Sequence, residues 1–135
     1  MAQRVFSSES VTCGHPDKVC DAISDAIVDA CLAIDMHARV AVETCIKGMP
    51  AKSVIVLAGE VSLKGETPDY AAIARQAAAE IGYTSHDIGM DATDPSLCDV
   101  LVYVTTQSAF IDQGVNRDSI ESQGAGDQGL MFGYA

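Results

Sequence analysis

A histidine and an aspartate flank a proline in Gly14-His15-Pro16-Asp17-Lys18. Proline suits the first position of a helix, where its missing N–H costs nothing. A helix that starts at Pro16 brings its positive dipole end and free backbone N–H groups beside His15, the setting of an anion site. The imidazole is able to donate to a phosphate oxygen. Asp17 is able to hold Mg²⁺ against the same phosphate, because magnesium favours one or two carboxylates together with phosphate oxygens. The plainer reading of these residues is an ordinary helix N-terminus whose acid complements the dipole.

Two further places invite chemistry. Glu43 and Glu60 each stand in otherwise apolar, β-branched company. Two carboxylates on one apolar strand face are costly unless a cation or a ligand amine satisfies them; exposure at a strand edge would satisfy them as well. The run Gly124-Ala125-Gly126-Asp127-Gln128-Gly129 matches G-x-G-x-x-G literally. The dinucleotide fingerprint needs a strand before it and a helix after it. Polar residues precede this run and only six residues follow, so it reads as a loop that lets backbone approach a ligand closely.

The elements that must position these residues follow from periodicity. Val19, Ile23, Ala26, Ile27, Ala30, Cys31 and Ile34 recur at three- and four-residue steps and define a helix from Pro16. Asp17, Asp21, Asp25 and Asp29 mark its opposite face, a solvated one for the last three. Residues 39–47 and 53–63 alternate as strands around a turn at Gly48-Met49-Pro50, an antiparallel hairpin. If Gly48 opposes Ala51, both glutamates fall on one sheet face, and a slip of one residue separates them. Thr67-Pro68 predicts the start of a second helix, with Tyr70, Ile73, Ala74, Ala77, Ala78 and Ile81 as its buried stripe and Gly82 as its stop. Residues 83–97 read as loop, and Val100, Val102 and Val104 alternate in a third strand.

With a short extended piece at 4–7 in front, the order is β-α-β-β-α-β. That is an α+β fold, a two-layer sandwich of a mostly antiparallel sheet with helices on one face. The expected division is a sandwich domain over 1–107, followed by a loop and glycine-rich segment over 108–135. No period is sustained beyond Gln107, and the chain closes at Gly133-Tyr134-Ala135 with no final element, so it reads as part of something longer.

Composition removes several function classes. Eight basic against nineteen acidic residues give a formal net charge of −11, which opposes a sequence-independent grip on nucleic acid or on an anionic membrane. A 48% hydrophobic content is too high for a disordered acidic tail. Residues 1–12 lack the basic and apolar regions of a secretory leader, and no apolar run reaches the roughly 18–20 residues of a membrane span. Five cysteines, Cys13, Cys20, Cys31, Cys45 and Cys98, without a C-x-x-C pair, read as reduced and mostly buried thiols of a cytoplasmic protein.

Taken together, these segments resemble the S-adenosylmethionine synthetase (methionine adenosyltransferase) family. Phe6-Ser7-Ser8-Glu9-Ser10-Val11 leading into Gly14-His15-Pro16-Asp17-Lys18, then Asp21 and Ile23-Ser24-Asp25-Ala26, is similar to the start of that family. Gln123 to Ala135 is similar to its glycine-rich signature block, with Ala38-Arg39-Val40-Ala41, Glu43-Thr44 and Glu80-Ile81-Gly82-Tyr83 between them in order. The resemblance implies the first of several similar domains in an enzyme that joins ATP and L-methionine and then hydrolyses the released triphosphate to pyrophosphate and phosphate. It implies ATP contacts for His15, the catalytic residue near the triphosphate, and for Asp127. It further implies methionine contacts for Glu60 and Gln107, magnesium on Asp17 and potassium on Glu43. Residues from Gln107 to about Arg117 match the family's gating loop. The partners it implies are further copies of the chain, a homodimer or homotetramer with the active site between subunits. It also implies that these residues alone lack the remaining phosphate-binding cations. Cys13 stands where relatives vary. The runner-up is a non-catalytic nucleotide- or metal-binding module, and the third reading is an acidic domain that pairs through its apolar sheet face.

Overall fold

In the computed structural model the described residues are 4–106, 130 and 133. Helix α1 spans Pro16–Ile34 and strands β1 and β2 span Arg39–Lys47 and Ser53–Ser62. Helix α2 spans Tyr70–Ile81, the two-residue strands β3 and β4 are Thr84–Ser85 and Met90–Asp91, and β5 is Cys98–Thr105. Among the described residues the main sheet has the order β1-β2-β5, and both helices lie on one of its faces. This is the α+β two-layer arrangement that periodicity predicts.

The core follows from the two periods. Val19, Ile23, Ile27 and Cys31, at steps of four along α1, are fully buried. They meet Ile55 and Leu57, the inward positions of central strand β2, and Ala74 and Ala78 of α2, whose small side chains let the second helix settle beside the first. Each buried isoleucine or leucine contributes on the order of 1.5–3 kcal/mol. On β1, Val40, Val42, Thr44 and Ile46 turn toward the helices, and Ala41, Glu43, Cys45 and Lys47 turn to the open face.

Four expectations are corrected. Residues 4–7 form no strand: Val5 and Phe6 are 91% and 93% exposed, and four residues with no neighbouring strand have neither a ladder nor a face to bury. The sheet is mixed rather than mostly antiparallel. The β1–β2 pair is antiparallel, but α2 carries the chain across and returns β5 parallel to β2. Helix α2 starts three residues after Thr67, because Asp69 wins the cap: its carboxylate accepts the Ala72 N–H at 3.0 Å. The segment 83–97 is not plain loop, since it contains the β3–β4 pair and a short 3-10 turn between them.

The hairpin turn is also wider than Gly48-Met49-Pro50. Glu43 opposes Ala58 and Glu60 opposes Ala41, a register two residues away from the Gly48–Ala51 pairing. An even offset leaves the two glutamates on the same face. The β3–β4 segment holds the turn open: His86 Nε2 donates to the Pro50 carbonyl at 2.9 Å, and Gly48 lies so close to the Gly89 carbonyl that a Cβ there would collide with it.

The cysteines are unpaired. Cys31 and Cys98 are buried and Cys20 half-buried, whereas Cys13 and Cys45 are exposed, so burial of the thiols is less complete than composition predicts. Burial raises the Cys20, Cys31 and Cys98 thiols above their ordinary range, which leaves them protonated and inert at neutral pH. The expected boundary between 107 and 108 falls at the edge of the described residues.

Candidate functional site

The start of α1 is built by its own cap. His15 is extended at φ −63° and ψ 138°, and its Nδ1 accepts the backbone N–H of Asp17 at 3.2 Å. That bond fixes the neutral imidazole as the tautomer protonated at Nε2, so the second nitrogen is a donor. It also trims the anion site read from the sequence. Pro16 has no N–H to offer, and the next amide, that of Asp17, is spent on the cap. What remains at this end is the Lys18 amide, the imidazole N–H and the dipole.

Asp17 is exposed, and its side chain opens on a cavity of about 410 Å³ between α1 and β1. Asp17, Lys18, Cys20, Asp21 and Ser24 line it from the helix, and Val42, Glu43 and Thr44 line it from the strand. The two elements are tied at its wall by a 2.8 Å hydrogen bond between the Ser24 and Thr44 hydroxyls. Three acidic residues and one lysine therefore belong to its rim. The ammonium of Lys18 is paired with Asp21 at 2.9 Å, and that hydrogen bond raises its pKa. Asp17 and Glu43 have no hydrogen-bond or ion-pair partner for their carboxylates among the described residues.

A site with surplus negative charge and oxygen donors suits a hard cation. Among the described residues no group of three or more His, Cys, Asp or Glu converges on one point. One or two carboxylates per ion is what magnesium takes when water and substrate phosphates supply the rest, so these residues fit magnesium at Asp17. The same donor chemistry fits a monovalent cation at Glu43.

Glu60 is placed differently. It is half-buried on the open face of β2, opposite Ala41 of β1 and Thr105 of β5, with Glu43 one diagonal step away across the β1–β2 ladder. Gly59 beside it has φ +150°, and a Cβ there would run into the Ala41 carbonyl, so only glycine lets β1 and β2 close at this point.

The structure thus brings Asp17 and Glu43 onto one cavity and sets His15 against Asp17 through the cap. It puts Glu60 on the neighbouring sheet face. Gln107 and Asp127 lie outside the described residues. Sequence reasoning missed three parts of this arrangement. Asp21 is solvent-exposed as its spacing predicts, and it also joins the cavity wall; its three-residue spacing from Lys18 is the signal that marks the pair. The Ser24–Thr44 bond and the hydroxyl of Tyr83, which donates to the Gly14 carbonyl at 2.6 Å, span distances in the chain that no local pattern reveals.

Comparisons with known proteins agree on one family. Residues 3–109 match the family described as S-adenosylmethionine synthetase, N-terminal domain. The chain is 49% identical to the S-adenosylmethionine synthase of Brachyspira hyodysenteriae over 138 residues, which is 96% of this chain and 33% of that protein. It is 47% identical to the S-adenosylmethionine synthase of Leifsonia xyli subsp. xyli over 142 residues, 98% of this chain and 34% of that protein. The chain spans about a third of the length of these curated relatives. It belongs to the S-adenosylmethionine synthetase N-terminal domain family.

Proposed function

We propose that the full-length protein carrying this chain forms S-adenosylmethionine from ATP and L-methionine. The observation that carries this reading is the cavity at the start of α1, which Asp17 and Glu43 both line next to the capped His15, in a chain of this family. The methionine sulfur attacks ribose C5′, the C5′–O bond breaks, and its electron pair leaves with the triphosphate. Water then divides the triphosphate into pyrophosphate and phosphate. About four negative charges build on the departing oxygens, so donors and cations must meet them. His15 offers its Nε2–H to those oxygens, in the tautomer that its cap enforces. Mg²⁺ bound at Asp17 would supply charge neutralisation for the phosphates, and Glu43 would hold K⁺.

Glu60 holds the methionine ammonium group, for which a carboxylate on a face of small residues is the natural partner. Gln107 completes the methionine site, and Asp127 contacts ATP. The open sheet face, where Leu101 and Tyr103 are exposed, is the surface on which a homodimer or homotetramer would close its active sites. No helix among the described residues is long and apolar enough to cross a membrane, and five unpaired cysteines suit a cytoplasmic location.

The test is formation of S-adenosylmethionine by the full-length protein with ATP, methionine, Mg²⁺ and K⁺. Product is expected there, and almost none from residues 1–135 alone. The His15→Asn variant should lose about a hundredfold in kcat with a small change in ATP affinity, in line with loss of a donor used in the transition state. A non-catalytic nucleotide binder would show the reverse, and absence of product from the full-length protein overturns the proposal.

A further inference from the structure

The Tyr83 hydroxyl donates to the Gly14 carbonyl at 2.6 Å, across 69 positions of sequence. The other side of the same peptide is also held, because the His15 N–H donates to the Thr12 carbonyl at 3.0 Å. The Gly14–His15 peptide plane is therefore pinned at both of its polar atoms, and that plane sets the backbone from which the imidazole leaves. No heavy atom lies within 4 Å of where a Gly14 Cβ would be, so side-chain packing contributes nothing to holding this glycine.

Tyr83 is itself fixed. Gly82 turns out of α2 at φ +122°, the Tyr83 N–H donates back to Ala78 at 3.1 Å, and its carbonyl accepts the Ala92 N–H at 3.0 Å. Tyr83 packs against the core and also lines a separate cavity of about 310 Å³ together with Pro16, Ile46 and Met90. Removing one oxygen there leaves the ring where it stands.

We infer that Tyr83 is a positioning residue for His15: it fixes the Gly14–His15 peptide and thereby the direction of the imidazole N–H. The inference rests on the role given to His15 in the proposed synthase reaction. The test uses the full-length protein, its Tyr83→Phe and His15→Asn variants, and the double variant, with kcat and KM for methionine measured and the melting temperature as a check of folding. Tyr83→Phe should lower kcat about tenfold, the scale expected of a misplacement away from the reacting atoms, with KM within about twofold. In the His15→Asn background the same change should cost almost nothing, because a residue that acts through another has no effect once that partner is gone. Wild-type kcat in Tyr83→Phe overturns the inference, and so does a loss that persists in full in the double variant. Absence of synthase activity in the wild-type protein overturns the parent reading along with it, which separates the two failures.

Discussion

The two ends of α1 carry the same device and use it in opposite ways. At the C-terminal end the Asp35 carboxylate is saturated: one oxygen accepts the His37 N–H at 2.9 Å and the other the Lys64 N–H at 2.8 Å. Those bonds hold its carboxyl below the usual carboxylate range. At the N-terminal end the capping acceptor is a histidine instead. The Asp17 backbone N–H is the one capped, and its carboxylate, without a partner among the described residues, belongs to the cavity that Glu43 also lines. A carboxylate whose lone pairs go to backbone amides stabilises a fold, while one that is spared that duty is open to a cation.

The largest expected effect is on activity. Asp17→Asn should reduce synthase turnover of the full-length protein by about a hundredfold, the upper scale for disturbing a metal site, while the melting temperature hardly moves. Unchanged turnover would break the contrast between the two ends. Next comes the wall of the cavity. Thr44→Val leaves the half-buried Ser24 hydroxyl without its partner, and should cost about 1 kcal/mol in denaturant unfolding with a weaker response to added Mg²⁺ or K⁺.

Asp35→Asn should do the converse of Asp17→Asn, lowering the melting temperature and leaving KM for ATP and methionine in place. The smallest effect is the acid limb of that difference. Because the native pKa of Asp35 is depressed by the His37 and Lys64 amides, its stabilisation is complete above the ordinary carboxylate range and is lost as pH falls through the native value. The melting temperatures of wild type and Asp35→Asn should therefore differ near neutral pH and converge in acid; a gap that stays constant would place the effect elsewhere.

Much of this was legible in the sequence wherever one local rule acted alone. Pro16 and the four-residue steps from Val19 to Cys31 give α1 its start and its buried stripe without competition. Local reading failed where two signals competed or a distant group decided. Thr67 and Asp69 both offer caps, and the second takes the Ala72 amide and lets Tyr70 be buried at the first position of α2. The hairpin register depends on His86 and Gly89, which approach the turn from beyond α2. Magnesium at Asp17 was readable from the helix start itself, whereas potassium at Glu43 came from the family resemblance. The meeting of these two residues on one cavity requires α1 to pack against β1, and no spacing within either element encodes that.

The parallel pairing of β2 with β5 has an entropic consequence. The β1–β2 hairpin closes over a short turn, whereas Ser53 meets Cys98 only after all of α2 and the β3–β4 segment have been threaded between them. The loop-closure cost of the sheet therefore falls mainly on the β2–β5 pairing, which is the non-local contact of the fold. Arg75 offsets part of that cost: its guanidinium donates to the Ala92 and Cys98 carbonyls at 2.9 and 2.7 Å and so ties α2 to the start of β5, the strand whose Thr105 stands opposite Glu60.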